Sequence, residues 1–75
     1  MLEQGEILTL SDNKKYTVIY SAELNGRNYA YLLEQDDYSN SMVCEYDNES
    51  GLEEITDPQI VEQFLIKYSE SKNQQ

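Results

Sequence analysis

The chain has 75 residues, with 15 acidic and five basic side chains, no histidine and a formal net charge of -10. A chain of this length forms one domain, so we expect a single unit at 1–75, with an ordered core at about 6–68 and a polar C-terminal tail at 69–75. Because nucleic acids and anionic membranes attract clustered cations, this charge excludes direct binding of either and favours a basic protein surface as the partner.

Short apolar segments separated by polar turns run through the first three quarters of the chain. The candidate strands, in chain order, are 7–10, 16–24, 29–33, 42–46 and 52–55. The residues between them are mostly Asn, Asp, Ser and Gly, which favour turns. This spacing predicts an antiparallel meander of four or five strands.

The second and third candidate strands are joined by Asn25-Gly26, the residue pair typical of a two-residue hairpin turn. With that turn, the pairs on one side of the sheet are Leu24 with Arg27, Ala22 with Tyr29, Tyr20 with Tyr31, and Val18 with Leu33. This side has the larger apolar area, so we predict that it faces the core. On the other side Ile19 lies opposite Leu32 and forms a smaller apolar spot.

The last third of the chain changes to a helical period. Its apolar residues share one side of a helix: Ile60, Val61, Phe64, Leu65 and Tyr68, with Ile66 off this stripe.

Two interpretations of the helix start remain open. Thr56 as N-cap forms a capping box with Gln59 and lets Ile55 contact Ile60. Alternatively, Asp57 is the N-cap and Pro58 the first helical residue.

An isolated meander would leave its apolar face in water, and an amphipathic helix can cover such a face. We therefore predict an α+β fold, an antiparallel β-meander of four or five strands with one C-terminal amphipathic helix packed on one face. Most of the seven tyrosines then fill the core. Tyr38 is the exception, because it lies in the polar loop 36–41.

The sequence contains no pair of residues typical of catalysis. Histidine is absent, and Cys44 lies in an apolar strand where a free thiol packs as a small hydrophobic group. The acidic turn at 47–51 lacks the ligand spacing of a calcium loop. We expect no catalytic, cofactor or metal site, and no enzymatic activity.

Acidic side chains are concentrated in the middle of the chain. The predicted partner-binding residues are Asp36, Asp37, Tyr38, Glu45, Asp47, Glu49, Glu53, Glu54 and Asp57. A compact acidic domain can imitate the field of nucleic acid and occupy a basic site on a protein. This pattern favours a non-enzymatic binding protein, although charge that only keeps the domain soluble explains each single acid.

The alternative function is a small assembly subunit. It would dimerise or dock through an apolar sheet patch at Ile19 and Leu32, with Ile66 nearby. The sequence leaves the oligomeric state open, a homodimer included. The N-terminus has no basic segment followed by a long apolar run, and no stretch approaches a membrane span, so we expect a cytoplasmic protein.

Four segments resemble a family of short acidic proteins of Firmicute-type bacteria and their phages and mobile elements, grouped as a domain of unknown function. They read ILTLSDNKKYTVI, NGRNYAYLLEQDD, MVCEYDN and LEEITD, the last followed by the helix. The resemblance covers residues 6 to about 68 and departs at the first turn, where Asp12-Asn13 replaces the frequent Asp-Gly. It implies a protein of bacterial or host cytoplasm without established activity, by analogy an inhibitor of a host nuclease.

Overall fold

The structure, a computed structural model, describes residues 2–72 and contains one five-stranded antiparallel sheet and one helix. The elements are β1 (Ile7–Thr9), β2 (Lys15–Leu24), β3 (Arg27–Glu34), β4 (Ser41–Asp47), β5 (Gly51–Glu54) and α1 (Pro58–Lys72). Strand order in the sheet follows chain order, so the predicted α+β meander is confirmed. Residues 69–72 of the predicted tail continue the helix, and 73–75 lie outside the described residues.

The β2–β3 turn has the predicted geometry. Asn25 and Gly26 have φ angles of 54° and 80°, the left-handed values that a tight hairpin turn requires at both positions. From the turn as far as Tyr20 and Tyr31, every predicted pair is observed.

Beyond Tyr20 the predicted register is wrong by one residue. A β-bulge at Ile19 makes Val18 the partner of Leu32, whereas the prediction paired Val18 with Leu33. An extra residue in one strand moves all following side chains to the other face of the sheet. Val18 therefore lies on the face opposite the helix. Thr17, rather than Val18, is the observed partner of Leu33.

The sheet consequently has two buried faces, where the prediction had one. The face opposite the helix, called the opposite face below, carries a buried cluster of Tyr16, Val18, Ala30, Leu32 and Cys44. Partly buried apolar side chains pack against this cluster: Leu2, Leu8, Leu10, Met42 and Leu52. The helix face carries the cluster of Ala22, Tyr29, Val43 and Phe64. Because the first cluster takes side chains from the N-terminal segment and from both edge strands, the sheet curls around it. Most tyrosines are buried or half-buried, as predicted, and Tyr38 is 78% exposed.

Helix α1 begins as the second interpretation has it. The carboxylate of Asp57 accepts the backbone N–H of Gln59 at 3.0 Å, and Pro58 is the first helical residue. Phe64 is fully buried, with ring centroids 5.5 Å from Tyr20 and 5.9 Å from Tyr29. Leu65, predicted in the buried stripe, is 36% exposed, so the stripe is narrower than predicted.

Candidate acidic binding surface

The β4–β5 hairpin, together with Asp57 immediately before α1, carries most of the predicted acidic site. We call this group the acidic hairpin; it consists of Glu45, Asp47, Glu49, Glu53, Glu54 and Asp57. Pairing of the strands places Glu45 directly opposite Glu53 on the helix face, and Glu54 opposite Cys44 on the other face. The hairpin thus presents carboxylates on both faces and at its turn, along an edge of the sheet.

Three of these carboxylates have structural partners. Asp47 accepts the backbone N–H of Glu49 at 2.9 Å and stabilises the turn. Asp57 caps α1. Glu45 is half-buried and forms an ion pair with Arg27 at 3.2 Å.

The other three acids of the hairpin are differently placed. Glu49, Glu53 and Glu54 are exposed, and within residues 2–72 their carboxylates form neither ion pairs nor hydrogen bonds. Glu53 also lies directly opposite Glu45, and like charges in such a pair repel, so the fold gains nothing from the charge of Glu53. Cationic groups on another molecule could approach each of the three carboxylates without displacing an internal partner.

A polar cleft of about 240 Å³ lies beside the hairpin, between the start of β3 and the end of β4. Its walls include Arg27, Glu45 and Asn48, and Asn48 accepts a hydrogen bond from the Tyr46 hydroxyl at 2.9 Å. In the described part of the chain, no buried side-chain nitrogen or oxygen lacks a hydrogen-bond partner, and no group of three or more Cys, Asp or Glu residues is arranged to hold a metal ion. The cleft is a polar indentation of the surface, lined by two side-chain pairs, Arg27 with Glu45 and Tyr46 with Asn48.

The remaining predicted residues, Asp36, Asp37 and Tyr38, lie in the loop between β3 and β4, at the other end of the sheet. The seven residues of β4 separate this loop from the β4–β5 turn, a distance of roughly 20 Å at the usual rise per residue. The predicted residues therefore form two groups at opposite ends of β4, and only the acidic hairpin concentrates carboxylates.

Asp37 has an internal role. It accepts hydrogen bonds from the hydroxyl and the backbone N–H of Ser39, at 2.6 and 3.1 Å, and these hydrogen bonds lower the pKa of its carboxyl group. Asp37 thus orders the loop that presents Tyr38 to solvent.

A polar network that the sequence did not predict lies behind this loop. The Tyr16 hydroxyl donates to Asp12 at 2.9 Å, and the Asn40 amide donates to buried Glu34 at 2.8 Å and to the Tyr16 oxygen at 3.4 Å. The Lys14 ammonium lies 3.7 Å from Glu34. This network holds the β1–β2 turn against the β3–β4 loop.

Two pKa values respond to the network. Burial, followed by the hydrogen bond with Asp12, raises the pKa of Tyr16. The backbone N–H of Lys14 lowers the pKa of Asp12, and the Tyr16 hydroxyl adds to this effect. The sequence signal for the network was weak, because Tyr16 faces Glu34 only when the bulge at Ile19 is present.

Cys44 is 2% exposed, which confirms the predicted buried thiol. Burial, with a smaller effect of the Glu54 charge, raises the pKa of Cys44 to about 11. A thiol that stays protonated is a poor nucleophile and a poor metal ligand.

The predicted apolar patch is only partly present. Leu32 is fully buried on the opposite face and cannot join Ile19, because the bulge separates them. Ile66 is 52% exposed on the helix. Ile19 instead lines an open groove of about 490 Å³ on the helix face, whose walls are Thr17, Ile19, Leu33, Gln35, Asp36 and Tyr38.

Comparison with models of protein families, with curated proteins and with solved structures found no match. The resemblance to short acidic phage and bacterial proteins therefore stays a prediction. Helix α1 is too short and too polar to cross a lipid bilayer.

Proposed function

We propose that this protein is a non-enzymatic binding protein whose acidic hairpin binds a basic surface of a partner protein. The observation that carries the proposal is the state of Glu49, Glu53 and Glu54. They project from one edge of the sheet as exposed carboxylates without internal partners. Glu53 faces Glu45 across the strand pair, and a cationic partner would relieve the repulsion between these like charges and be attracted by all three free carboxylates.

The overall field supports the same kind of partner. All charged side chains lie within residues 2–72, whose longest dimension is 33 Å, so a net charge of -10 amounts to about one charge per 3 Å. One strand of duplex DNA carries a charge about every 3.4 Å. A protein site built to attract a nucleic-acid backbone therefore meets a charge density comparable to that of one strand and about half that of the duplex.

The finer form of the proposal concerns the role of the complex. A partner that binds nucleic acid through the same basic surface would be blocked by competition. Together with the resemblance to phage and mobile-element proteins, this leads us to propose an inhibitor that acts in the cytoplasm as a nucleic-acid mimic. It needs no cofactor, because binding alone blocks the site.

The experiment compares three forms of the full chain by affinity purification from the cells that produce it. The test variant is Glu49→Gln, Glu53→Gln and Glu54→Gln. The control variant, Glu23→Gln, Glu62→Gln and Glu70→Gln, changes the net charge equally at exposed positions elsewhere. The partner is then purified, and its affinity for each form is measured at low and high salt.

We expect the test variant to bind roughly 3- to 150-fold more weakly at low salt, since each exposed charge pair contributes about 0.2–1 kcal/mol. Binding of the natural chain should weaken as salt rises, and the control variant should retain most of the affinity. Duplex DNA should compete for the partner. Equal binding by the test variant and the natural chain would refute the role of the acidic hairpin, and a complex that DNA does not displace would refute mimicry.

A further inference from the structure

Strand β5 is one edge of the sheet, and in the described part of the chain no strand lies along its outer side. The backbone N–H of Ile55 donates to the Val43 carbonyl at 2.8 Å, on the side that faces β4. Hydrogen-bonded residues alternate along each strand of an antiparallel pair, so Glu53 also directs its backbone groups toward β4. The backbone N–H and C=O groups of Leu52 and Glu54 therefore point away from the sheet.

These outward groups are available to another extended chain. Within the described residues they form no hydrogen bond with other backbone groups, because β5 pairs with β4 alone. Glu54 is exposed and Leu52 is half-buried. An unpaired strand edge is a template for a further strand, in which main-chain hydrogen bonds supply affinity and side chains supply specificity. Strand β5 thus offers two donors and two acceptors to an added strand.

The side chains of β5 indicate which strand it suits. Glu53 projects on the helix face, whereas Glu54 and Leu52 project on the opposite face. Residues directly opposite each other in an antiparallel pair share a face of the sheet. An added antiparallel strand therefore meets Glu54, Glu53 and Leu52 in that order. Two consecutive cations followed by an apolar residue match these three positions.

The same charges disfavour a second copy of this chain at the edge. Pairing of β5 with another β5 would bring Glu53 and Glu54 of the two copies close together, and like charges opposed in a sheet are destabilising. Acidic side chains on an edge strand prevent self-pairing in this way. On the other edge, β1, the outward-facing residues are Ile7 and Thr9, whose side chains carry no charge. A basic segment is therefore attracted more strongly to β5 than to β1.

We propose that the partner of the acidic hairpin supplies an extended basic segment that pairs with β5 as an antiparallel sixth strand. This inference rests on the proposed function and adds the means by which the basic partner is recognised. Backbone hydrogen bonds form at Leu52 and Glu54, and cations of the added strand lie beside Glu53 and Glu54. A folded surface with scattered basic side chains satisfies the charges but leaves the edge unpaired.

Three synthetic peptides separate strand pairing from charge attraction. The parent peptide is acetyl-Thr-Lys-Lys-Val-Thr-Lys-amide. Its first Lys and its Val lie opposite Glu54 and Leu52 in the proposed pairing, so their N–H groups face β5. One derivative is N-methylated on the backbone at these two residues. The matched control is N-methylated at the second Lys and the following Thr, whose N–H groups face solvent, and all three peptides carry the same charge.

Binding of each peptide to the full chain is measured by NMR titration at low salt. We expect the first derivative to bind roughly 5- to 150-fold more weakly than the parent, because two hydrogen bonds are lost. The control derivative should bind like the parent. Amide hydrogen exchange of Leu52 and Glu54 should slow in the complex with the parent peptide, while that of Ile7 and Thr9 on the other edge should not change.

A variant of the protein tests the same edge. Glu54→Pro removes one outward N–H at an edge position where proline is tolerated, and Glu54→Gln is its charge-matched control. With unchanged circular dichroism spectra, Glu54→Pro should bind the parent peptide about 2- to 12-fold more weakly than Glu54→Gln.

Equal binding by all three peptides would overturn strand addition and leave charge attraction by the acidic hairpin in place. A parent peptide that does not bind, or slowed exchange at β1 in place of β5, would also overturn it. The proposed function fails on a different result, which is equal binding of the purified partner by the triple glutamine variant and the natural chain.

Discussion

Replacement of Phe64 by alanine should remove much of the stability of this domain. Phe64 is the one fully buried side chain of α1 among the described residues, and its ring packs against Tyr20 and Tyr29. Truncating a buried phenylalanine costs about 3–5 kcal/mol, through lost transfer free energy and the cavity that remains. A 75-residue domain has a free energy of unfolding of roughly 4–11 kcal/mol, so the variant should lie near the limit of folding.

Urea unfolding followed by far-UV circular dichroism and tyrosine fluorescence measures this loss. The chain has seven tyrosines and no tryptophan, and three of the tyrosines contact Phe64 or Tyr68, so their emission reports on helix docking. The thermal midpoint should fall by roughly 12–40 °C, at about 4–8 °C per kcal/mol for a domain of this size.

Ile66→Ala is the matched control, because this neighbouring side chain is 52% exposed and alanine has the higher helix propensity. We expect a change within about 0.5 kcal/mol for this substitution. If Phe64→Ala costs no more than the control, the helix is not held on the sheet through Phe64, and the account of the helix-face core is wrong.

Further predictions concern the helix cap, the polar network and the thiol. Asp57→Ala should lower the free energy of unfolding by about 0.5–2 kcal/mol, and Thr56→Ala by clearly less, as measured by urea unfolding. Because the pKa of Tyr16 is raised in the folded state, the contribution of Tyr16 to stability is present below about pH 10 and is lost as pH rises through the folded pKa. In urea unfolding at a series of pH values, Tyr16→Phe should reduce the alkaline decrease in the free energy of unfolding. The pKa of Asp12 is lowered from 3.8, so its contribution is present above about pH 4 and is lost as pH falls through the folded pKa, and Asp12→Asn should reduce the acid sensitivity. At a given pH the native Cys44 should react with iodoacetamide at least about 100-fold more slowly than in urea, since its pKa is about 11 against 9.0; equal rates would contradict its burial.

The sequence alone shows which acidic residues belong to the candidate site. It does not show how the fold arranges them or which of them have internal partners. The concentration of acids at 45–57 is visible in the chain, and the hairpin keeps these residues together because they are close in sequence. Which carboxylates are available depends on contacts that the pattern does not show. Asp47, Asp57 and Glu45 have partners in the fold, and Asp37 belongs to a separate loop at the far end of β4.

Signals that act within a few residues determined much of this fold from the sequence alone. Asn25-Gly26 sets the β2–β3 turn because both residues accept left-handed φ angles. The sequence placed the start of α1 to within one residue, and the structure selected Asp57 rather than Thr56 as the N-cap. The change from a two-residue to a helical period places the helix after the strands. None of these signals needs distant parts of the chain.

Only the tertiary structure decided where the extra residue of β2 lies. Residues 16–24 carry an apolar side chain at every second position, with Ile19 as one additional apolar residue, and a single extra apolar side chain does not identify a bulge. The bulge satisfies two separate demands: Tyr20 must meet the helix, while Val18 and Tyr16 must meet the cluster on the opposite face. Burial on both faces is a property of the assembled sheet. The polar network around Glu34 and the open groove beside Leu33 both follow from that one shift of register.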